Sequence, residues 1–476
     1  MNFDMIRSTK LYKNDPTKEV LVMELSFNGN GPYYLQIYDQ IRGKIISHQL
    51  DVHTKLPSKR QLAVDLGVSV HTVQDAYAQL VAEGYVYSKE RSGYFVALYD
   101  YENPVQKEQL IRIPQPENIE MQIDFHSGHV AKGAFPFKTW KRLLGGHIGE
   151  AALATSPWQG EWRLRQEIAT YVQQSRGVAC APHQVFISSG TQAQLQMICQ
   201  FFHEAPSIAI EDPGFIRAKA VFEQQRIPYE AIPVDAFGVT VPNKPHQLLY
   251  TTPAHQFPLG MILPIQRRIE LIQWAHQNNS YIIEDDYDGE FRYKGKPIPS
   301  LAELDQMKRV VYFGTFSKTL IPSLRMSYFV LPMQLIVPFE QQFALQKSTV
   351  SKLDQLTLAD FIEEGFWRRH LDKMRTIYRQ KQKTIVKAVQ HHLSPDYEVI
   401  GEHSGLHIVL KLPAGLTEEV AIELAKSIQI GVYPVSNAYA YAKPTQFVLL
   451  GYGGLSHEDI RRGIQLLANV WHGKVE

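Results

Sequence analysis

The run Tyr281-Ile-Ile-Glu-Asp-Asp-Tyr-Asp ends an apolar strand pattern in three consecutive acids. Open α/β sheets put their ligands at the carboxyl ends of strands, so this run stands where chemistry is done. Adjacent carboxylates repel one another and require a nearby cation or a shared proton. Two readings fit. One is a metal site, which lacks a His or Cys spaced to complete a ligand set, and we expect no metal. The other is a carboxylate facing a pyridinium nitrogen, which keeps the ring protonated and an electron sink. A second candidate is Lys318, which follows a strand and a small-residue turn in Val311-Tyr-Phe-Gly-Thr-Phe-Ser-Lys. Most loop lysines are simply solvated, but Ser317 and Arg325 flank this one at spacings suited to a phosphate, and Arg is the planar, permanently charged partner. Ser188-Ser-Gly-Thr-Gln, between a strand and a helix, can offer backbone amides to an anion or can be a purely structural turn. Glu211-Asp-Pro-Gly-Phe-Ile-Arg adds Phe215, a ring that either stacks on a heteroaromatic ligand or belongs to the core, and Arg217.

Near the N-terminus the chemistry is of another kind. Leu56-Pro-Ser-Lys-Arg-Gln-Leu-Ala-Val-Asp-Leu-Gly-Val-Ser-Val-His-Thr-Val-Gln reads as two short helices. Ser58 with Gln61 forms a capping box, Gly67 ends the first helix in a left-handed conformation, and Ser69 caps the second. Leu62, Ala63 and Leu66 share one face of the first helix, and Val73, Ala76, Tyr77 and Leu80 share one face of the second. The outer face of the second helix offers His71, Thr72, Gln74, Asp75 and Gln79. Two helices joined by a three-residue turn with Gly match a helix-turn-helix, although a helical hairpin that only packs has the same outline. Lys59 and Arg60 at the first helix's start can grip a phosphate, and Tyr85 to Val96 reads as a hairpin whose tip holds Lys89, Arg91 and Gly93. A basic hairpin placed there is a wing.

These residues need scaffolds to position them. The chain has 476 residues, 44% hydrophobic and 20% charged, which suits two or three soluble cores. Residues 1–32 read as a polar, irregular extension, 33–98 as the winged helix-turn-helix and 99–120, punctuated by Pro104, Pro114 and Pro116, as a linker. From 121 to 476, apolar strands alternate with amphipathic helices, which implies a mostly parallel α/β sheet. No apolar run is long enough to span a membrane, no secretory leader opens the chain, and two cysteines agree with a reducing cytoplasm. The net charge is +1, and residues 1–98 carry 11 Lys and Arg against 10 Asp and Glu. Any nucleic-acid binding must therefore come from local placement of charge and helix geometry.

Residues Pro32 to Val96 resemble the GntR-type winged helix, through Tyr34-Leu-Gln-Ile-Tyr, Leu56-Pro-Ser-Lys-Arg-Gln-Leu-Ala, Gly67-Val-Ser, Thr72-Val, Glu83-Gly-Tyr and Ser92-Gly-Tyr-Phe-Val. That resemblance implies that Ser58, Lys59, Arg60, Ser69, Thr72 and Gly93 lie against DNA, and His71, Gln74, Lys89 and Arg91 complete the candidate set. Val70 departs from the family, which usually has Arg after the turn Ser. From about Ile123 to His457 the chain resembles the aminotransferase-like domain of MocR/GabR-type regulators, a fold-type I pyridoxal-phosphate (PLP) domain with a smaller C-terminal α+β subdomain at about 370–476. The resemblance rests on Ser175-Arg-Gly-Val, Tyr250-Thr-Thr-Pro-Ala-His-Gln-Phe-Pro-Leu-Gly, Ile283-Glu-Asp-Asp-Tyr-Asp-Gly-Glu-Phe, Gly314-Thr-Phe-Ser-Lys-Thr-Leu and Leu449-Leu-Gly-Tyr. It implies a Schiff base on Lys318, Asp285 on the pyridine nitrogen, Tyr287 on the ring hydroxyl and Phe215 on the ring face. Gly190, Thr191, Ser317 and Arg325 would hold the phosphate, with Gln192 and His255 also in the cofactor set. Where aminotransferases have Asn before Pro-x-Gly, this chain has His255-Gln-Phe-Pro-Leu-Gly.

One part is missing. No arginine lies between Arg379 and Arg461, where aminotransferases keep a second arginine to clamp the substrate carboxylate. The segment QFVLLGYGG offers only Gln446, and a lysine such as Lys411 is a point charge that does not replace the bidentate fork. Arg217 is the candidate for an effector's anion. The expected function is a ligand-responsive DNA-binding regulator, sensing PLP itself or an amine that reacts at Lys318, with at most weak transamination. An aminotransferase with an appended DNA-binding domain is the alternative. The resemblance further implies a homodimer that reads an operator of two half-sites.

Overall fold

The computed structural model describes residues 5–11, 21–27, 31–98, 121–202, 207–293, 299–306, 308–441 and 445–473. The chain divides into two compact units, residues 1–117 and 118–476. The segment 99–120, read as a linker, lies outside the described residues.

In the first unit, strands β1 (Met5–Leu11) and β2 (Leu21–Phe27) form an antiparallel pair, followed by α1 (Tyr33–Ile46), α2 (Lys59–Leu66), α3 (Val70–Ala82) and the hairpin β3 (Val86–Lys89) and β4 (Gly93–Val96). The β1–β2 pair corrects the expectation of an irregular extension. Met23, Leu25 and Phe27 alternate along β2, and all three are buried in the core of the winged helix beside Ile37, Ile41 and Leu62. The α2 and α3 faces expected to be apolar are buried. Ser58 accepts from the Gln61 amide (3.2 Å), but the box is only half formed, because the Gln61 side chain turns away to Asp65 (2.8 Å). Gly67 has φ 64°, the left-handed turn that lets α3 follow at once.

The second unit begins with β5 (Ile123–Asp124), α4 (Phe137–His147), α5 (Trp162–Arg176), β6 (Val185–Ser188), α6 (Thr191–Phe201), β7 (Ile208–Asp212), α7 (Ile216–Gln224), β8 (Tyr229–Asp235), β9 (Gly238–Val239) and β10 (Leu248–Thr251). It continues through α8 (Ile265–Gln277), β11 (Tyr281–Asp286), α9 (Leu301–Leu304), β12 (Val310–Thr315), β13 (Ser327–Val330), α10 (Met333–Phe343), α11 (Lys352–Glu363) and α12 (Phe366–His392). The end of the chain adds β14 (Glu398–Ile400), β15 (His407–Lys411), α13 (Glu418–Ser427), β16 (Ile430–Gly431), β17 (Tyr433–Pro434), β18 (Phe447–Gly451) and α14 (His457–Trp471). One eight-stranded sheet has the order β6-β13-β12-β11-β10-β7-β8-β9. Strands β12, β11, β10, β7 and β8 run parallel, while β13 is antiparallel to both its neighbours and β9 to β8. The central strands are apolar on both faces, as a sheet covered by helices on each side requires. A second, four-stranded antiparallel sheet, β14-β15-β18-β17, packs with α12, α13 and α14 around its own core. Ile123 and Phe125 belong to that core, so residues early in the unit complete its C-terminal part.

Candidate functional site

The carboxyl ends of β6, β7, β11 and β12 and the edge of the smaller sheet enclose a cavity of about 380 Å³. Its lining gathers Gly190, Thr191, Gln192, Phe215, Arg217, Asp285, Tyr287, Ser317, Lys318 and Arg325, brought from five separate segments. His255 is not part of that lining. It sits one layer behind, where the Tyr287 hydroxyl donates to its carbonyl (2.9 Å) and lies 3.0 Å from its Nδ1.

Strand alternation separates the three acids of β11. Glu284 accepts from the Leu301 and Ala302 amides (2.9 Å each), with Arg268 at 3.9 Å. Asp286 lies 2.5 Å from Nε of the buried Arg176 and accepts from the Tyr312 hydroxyl (2.6 Å). Asp285 faces the cavity side, accepts from the Tyr250 hydroxyl (2.5 Å) and, among the described residues, has no ion pair. Burial pushes its pKa up to about 7, with Asp286 and Asp288 adding to the shift and the Tyr250 bond opposing it. Arg176 and Arg268 thus stand against two of the acids, and burial raises Asp285, the acid left without an ion pair, as it also raises Glu284. This has a pH signature. The folded pKa lies above the ordinary 3.8, so the stability contributed by this group falls as pH rises from about 4 to about 7 and levels off above that. In cofactor-free protein, we expect the urea midpoint of the wild type to lose ground to that of Asp285→Asn between about pH 5 and 7.5. A difference independent of pH would refute the raised pKa of Asp285.

The opposite part of the cavity has the form of an anion cradle. Helix α6 starts at Gly190 with no side-chain cap, leaving its first amides open. Gly190 has φ 107°, and a Cβ there would stand 2.5 Å from Nη2 of Arg325, so only glycine lets that guanidinium approach. Arg325 donates to the Ser189 carbonyl (3.3 Å) from a left-handed backbone position (φ 48°), and Ser317 faces the same space. Bare helix amides, a hydroxyl and a guanidinium fit a phosphate group. Lys318 donates to the Ser127 carbonyl (2.5 Å). Burial pushes its pKa down, with Arg217 adding to the effect and Asp288 opposing it. Such a lysine is a better nucleophile at neutral pH than a solvated one.

Several wall residues were not singled out in the sequence. His126, Phe257, His407, Tyr433 and Leu449 line the cavity. Phe257 is the residue before Pro258, in the place of the aminotransferase Asn, and its ring meets Phe215 edge-on at 5.6 Å. Leu449 is the β18 residue in the lining, whereas Gln446 is exposed elsewhere. Asp288, of the quoted acid run, comes together with His255 and His407, their ligand atoms within 4.8 Å of one another. His255 belongs to the candidate cofactor set, whereas sequence spacing gives no sign of His407. The two rings lie 4.8 Å apart, with His407 bonded to the Pro258 carbonyl (2.9 Å) and His255 Nδ1 3.4 Å from Asp288 and 3.0 Å from the Tyr287 hydroxyl.

In the first unit, Arg60, His71, Gln74, Lys89 and Arg91 are exposed on α2, α3 and the hairpin tip. Lys59 reaches Gln74 Oε1 (3.5 Å) and lies over the Tyr94 ring, and His71 pairs with Asp75 (3.0 Å). Ser69 accepts from the Thr72 amide (3.0 Å), and the two hydroxyls are 2.8 Å apart. Gly93 takes φ 111° at the tip.

Residues 33–96 match the model of the gntR family of bacterial regulatory proteins. The chain is 44% identical over 455 residues to the HTH-type transcriptional regulator YdeL of Bacillus subtilis, covering 92% of this chain and 97% of that one. It is 34% identical over 473 residues to the probable rhizopine catabolism regulatory protein MocR of Rhizobium meliloti, covering 94% and 96%. The chain belongs to the MocR/GabR-type regulators. Among solved structures, the second unit is similar in fold to the α-aminoadipate aminotransferase LysN of Thermus thermophilus, complexed with N-(5'-phosphopyridoxyl)-L-leucine. That match has a TM-score of 0.67 at 24% identity and covers 75% of this chain and 93% of LysN. A GntR domain is a DNA-binding domain of bacterial regulators. Changing Lys59 and Arg60 together to Ala is expected to weaken binding to every sequence and to lower the slope of log K against log salt by about 1–2. An unchanged slope would remove both residues from the phosphate contacts. Among the described residues, no helix is long and apolar enough to cross a membrane.

Proposed function

We propose that this regulator binds PLP in the cavity of its second unit and changes its grip on DNA in response to PLP itself or to an amine that reaches Lys318 in its presence. The observation that carries this is the gathering of an anion cradle, a buried carboxyl with no ion pair, an aromatic face and a pKa-lowered lysine around one cavity. In this reading Gly190, Thr191, Gln192, Ser317 and Arg325 hold the phosphate, Phe215 covers the ring and Asp285 faces its nitrogen. Bound there, the cofactor supplies an aldehyde and an electron-accepting ring. Tyr287 lines the cavity and is the candidate for the ring hydroxyl, and its own hydroxyl donates to the His255 carbonyl, which fixes its position. Leu449, standing where a carboxylate clamp would be needed, favours a sensor with at most weak transamination over an aminotransferase.

The reading includes a cytoplasmic homodimer, with 33–98 as the DNA-binding domain, 99–120 as linker and 121–476 as sensor. Two winged helices on one dimer suit an operator of two half-sites. A ligand moves such a regulator only if it binds one arrangement better than another. The test is a titration of PLP, and then of amines, against full-length protein on the DNA upstream of its own gene. A change of affinity with PLP alone makes the cofactor the signal, and a change requiring an amine makes the amine the signal. Unchanged affinity under both would overturn the sensor.

A further inference from the structure

The charged side chains of the cavity lining are Arg217, Asp285, Lys318 and Arg325, and the apolar wall opposite them restricts what can fill the cavity. The cavity-facing residue of β18 is Leu449, 4% exposed. It forms an apolar cluster with Val409 and Val435, against which Phe257 and Tyr433 pack. Phe257 extends this wall to Phe215, and its ring also meets His407 at 5.8 Å. Both histidines of the wall are neutral at neutral pH. Burial and His255 push His407 down to about 3, and burial and His129 hold His126 below its usual range. Of the two arginines in the lining, Arg325 belongs to the phosphate cradle at α6. Arg217 is left, near enough to Lys318 and His126 to lower the pKa of each.

From this we infer, resting on the reading of the cavity as a PLP site, that the effector is a primary amine with an apolar body and a single anionic group. The body packs on Phe257, Tyr433 and Leu449, and the anion meets Arg217. An amine with a second carboxylate would bury that charge against Leu449 without a partner, and an unpaired buried charge is strongly disfavoured.

The experiment uses the full-length chain with PLP added, reading the absorbance of the bound cofactor and the affinity for its upstream DNA. L-Leucine, L-phenylalanine, phenethylamine and L-glutamate are titrated in parallel. Leucine and phenylalanine are expected to act at concentrations about tenfold below glutamate, with phenethylamine, which lacks the anion, weaker than phenylalanine. Leu449→Arg should reverse the order in favour of glutamate. Leu449→Gln should shrink the apolar preference without adding charge, and it serves if the Arg variant melts early. Glutamate acting at or below the leucine concentration, or an unchanged ranking in both Leu449 variants, overturns the inference. Phenethylamine matching phenylalanine overturns the part given to Arg217. Cofactor bound with no response to any amine overturns this inference alone, whereas no cofactor bound at all overturns the PLP reading beneath it.

Discussion

Lys318→Ala is expected to abolish the visible absorbance that the wild-type chain acquires on mixing with PLP. Among the described residues Lys318 is the one lysine in the cavity lining, so on the PLP reading no neighbouring amine there would take its place. Burial holds its pKa down, which favours the neutral, nucleophilic amine. The variant keeps the phosphate cradle of Gly190, Ser317 and Arg325, so PLP should still be held, but loosely enough to be lost on gel filtration. Absorbance spectra before and after the column separate the two modes of binding. A colourless wild type in excess PLP would sink the cofactor assignment. Retained colour in the variant would move the amine to another residue. If the DNA response depends on this bond, the variant should also stop responding to amines while still binding DNA through α2 and α3.

The second large effect concerns stability. Arg176→Met is expected to destabilise the large unit by about 3–5 kcal/mol, the usual consequence of leaving one member of a buried ion pair alone. Arg176 is 7% exposed and Asp286 8%, and their charged atoms lie 2.5 Å apart. Without the guanidinium, Asp286 keeps the Tyr312 hydroxyl but stands next to Glu284 and Asp285 on the same strand with only the more distant Arg268, which already faces Glu284. Pairing the change with Asp286→Asn removes the orphaned charge and should recover most of the loss, so a double-mutant cycle in urea gives the coupling directly. A loss under about 1 kcal/mol for the single variant would show that water reaches Asp286 and that the pair is not an interior one.

Much of this molecule was legible from local patterns. The Ser58 and Ser69 caps, the left-handed Gly67 and the buried faces of α2 and α3 are decided within three or four residues of chain, which is the range of helix capping and periodicity. The acid run at the end of β11 and the lysine after β12 were legible because parallel strands advertise themselves as apolar runs with chemistry at their ends. The hairpin β1–β2 was missed because the first 32 residues are polar on average, while what matters is the alternation of Met23, Leu25 and Phe27 against a core supplied by later helices. The Gln61 half of the capping box failed for a similar reason: a neighbouring acid, Asp65, competes for the same amide.

By itself, then, the sequence determined a GntR-type winged helix, an aminotransferase-like α/β unit, the placing of Asp285, Lys318 and Arg325 around its strand ends, and the absence of arginine between Arg379 and Arg461. Those are properties of residue type and of near neighbours. Only the tertiary structure decided which acid of the run is left without an ion pair, because that depends on Arg176 and Arg268 arriving from distant helices beside Asp286 and Glu284. It also placed His255 behind Tyr287, brought His407 to Asp288, and put Leu449, Phe257 and Tyr433 on one wall. Such contacts join strands far apart in the chain through sheet order and crossover connections, and no local periodicity records them.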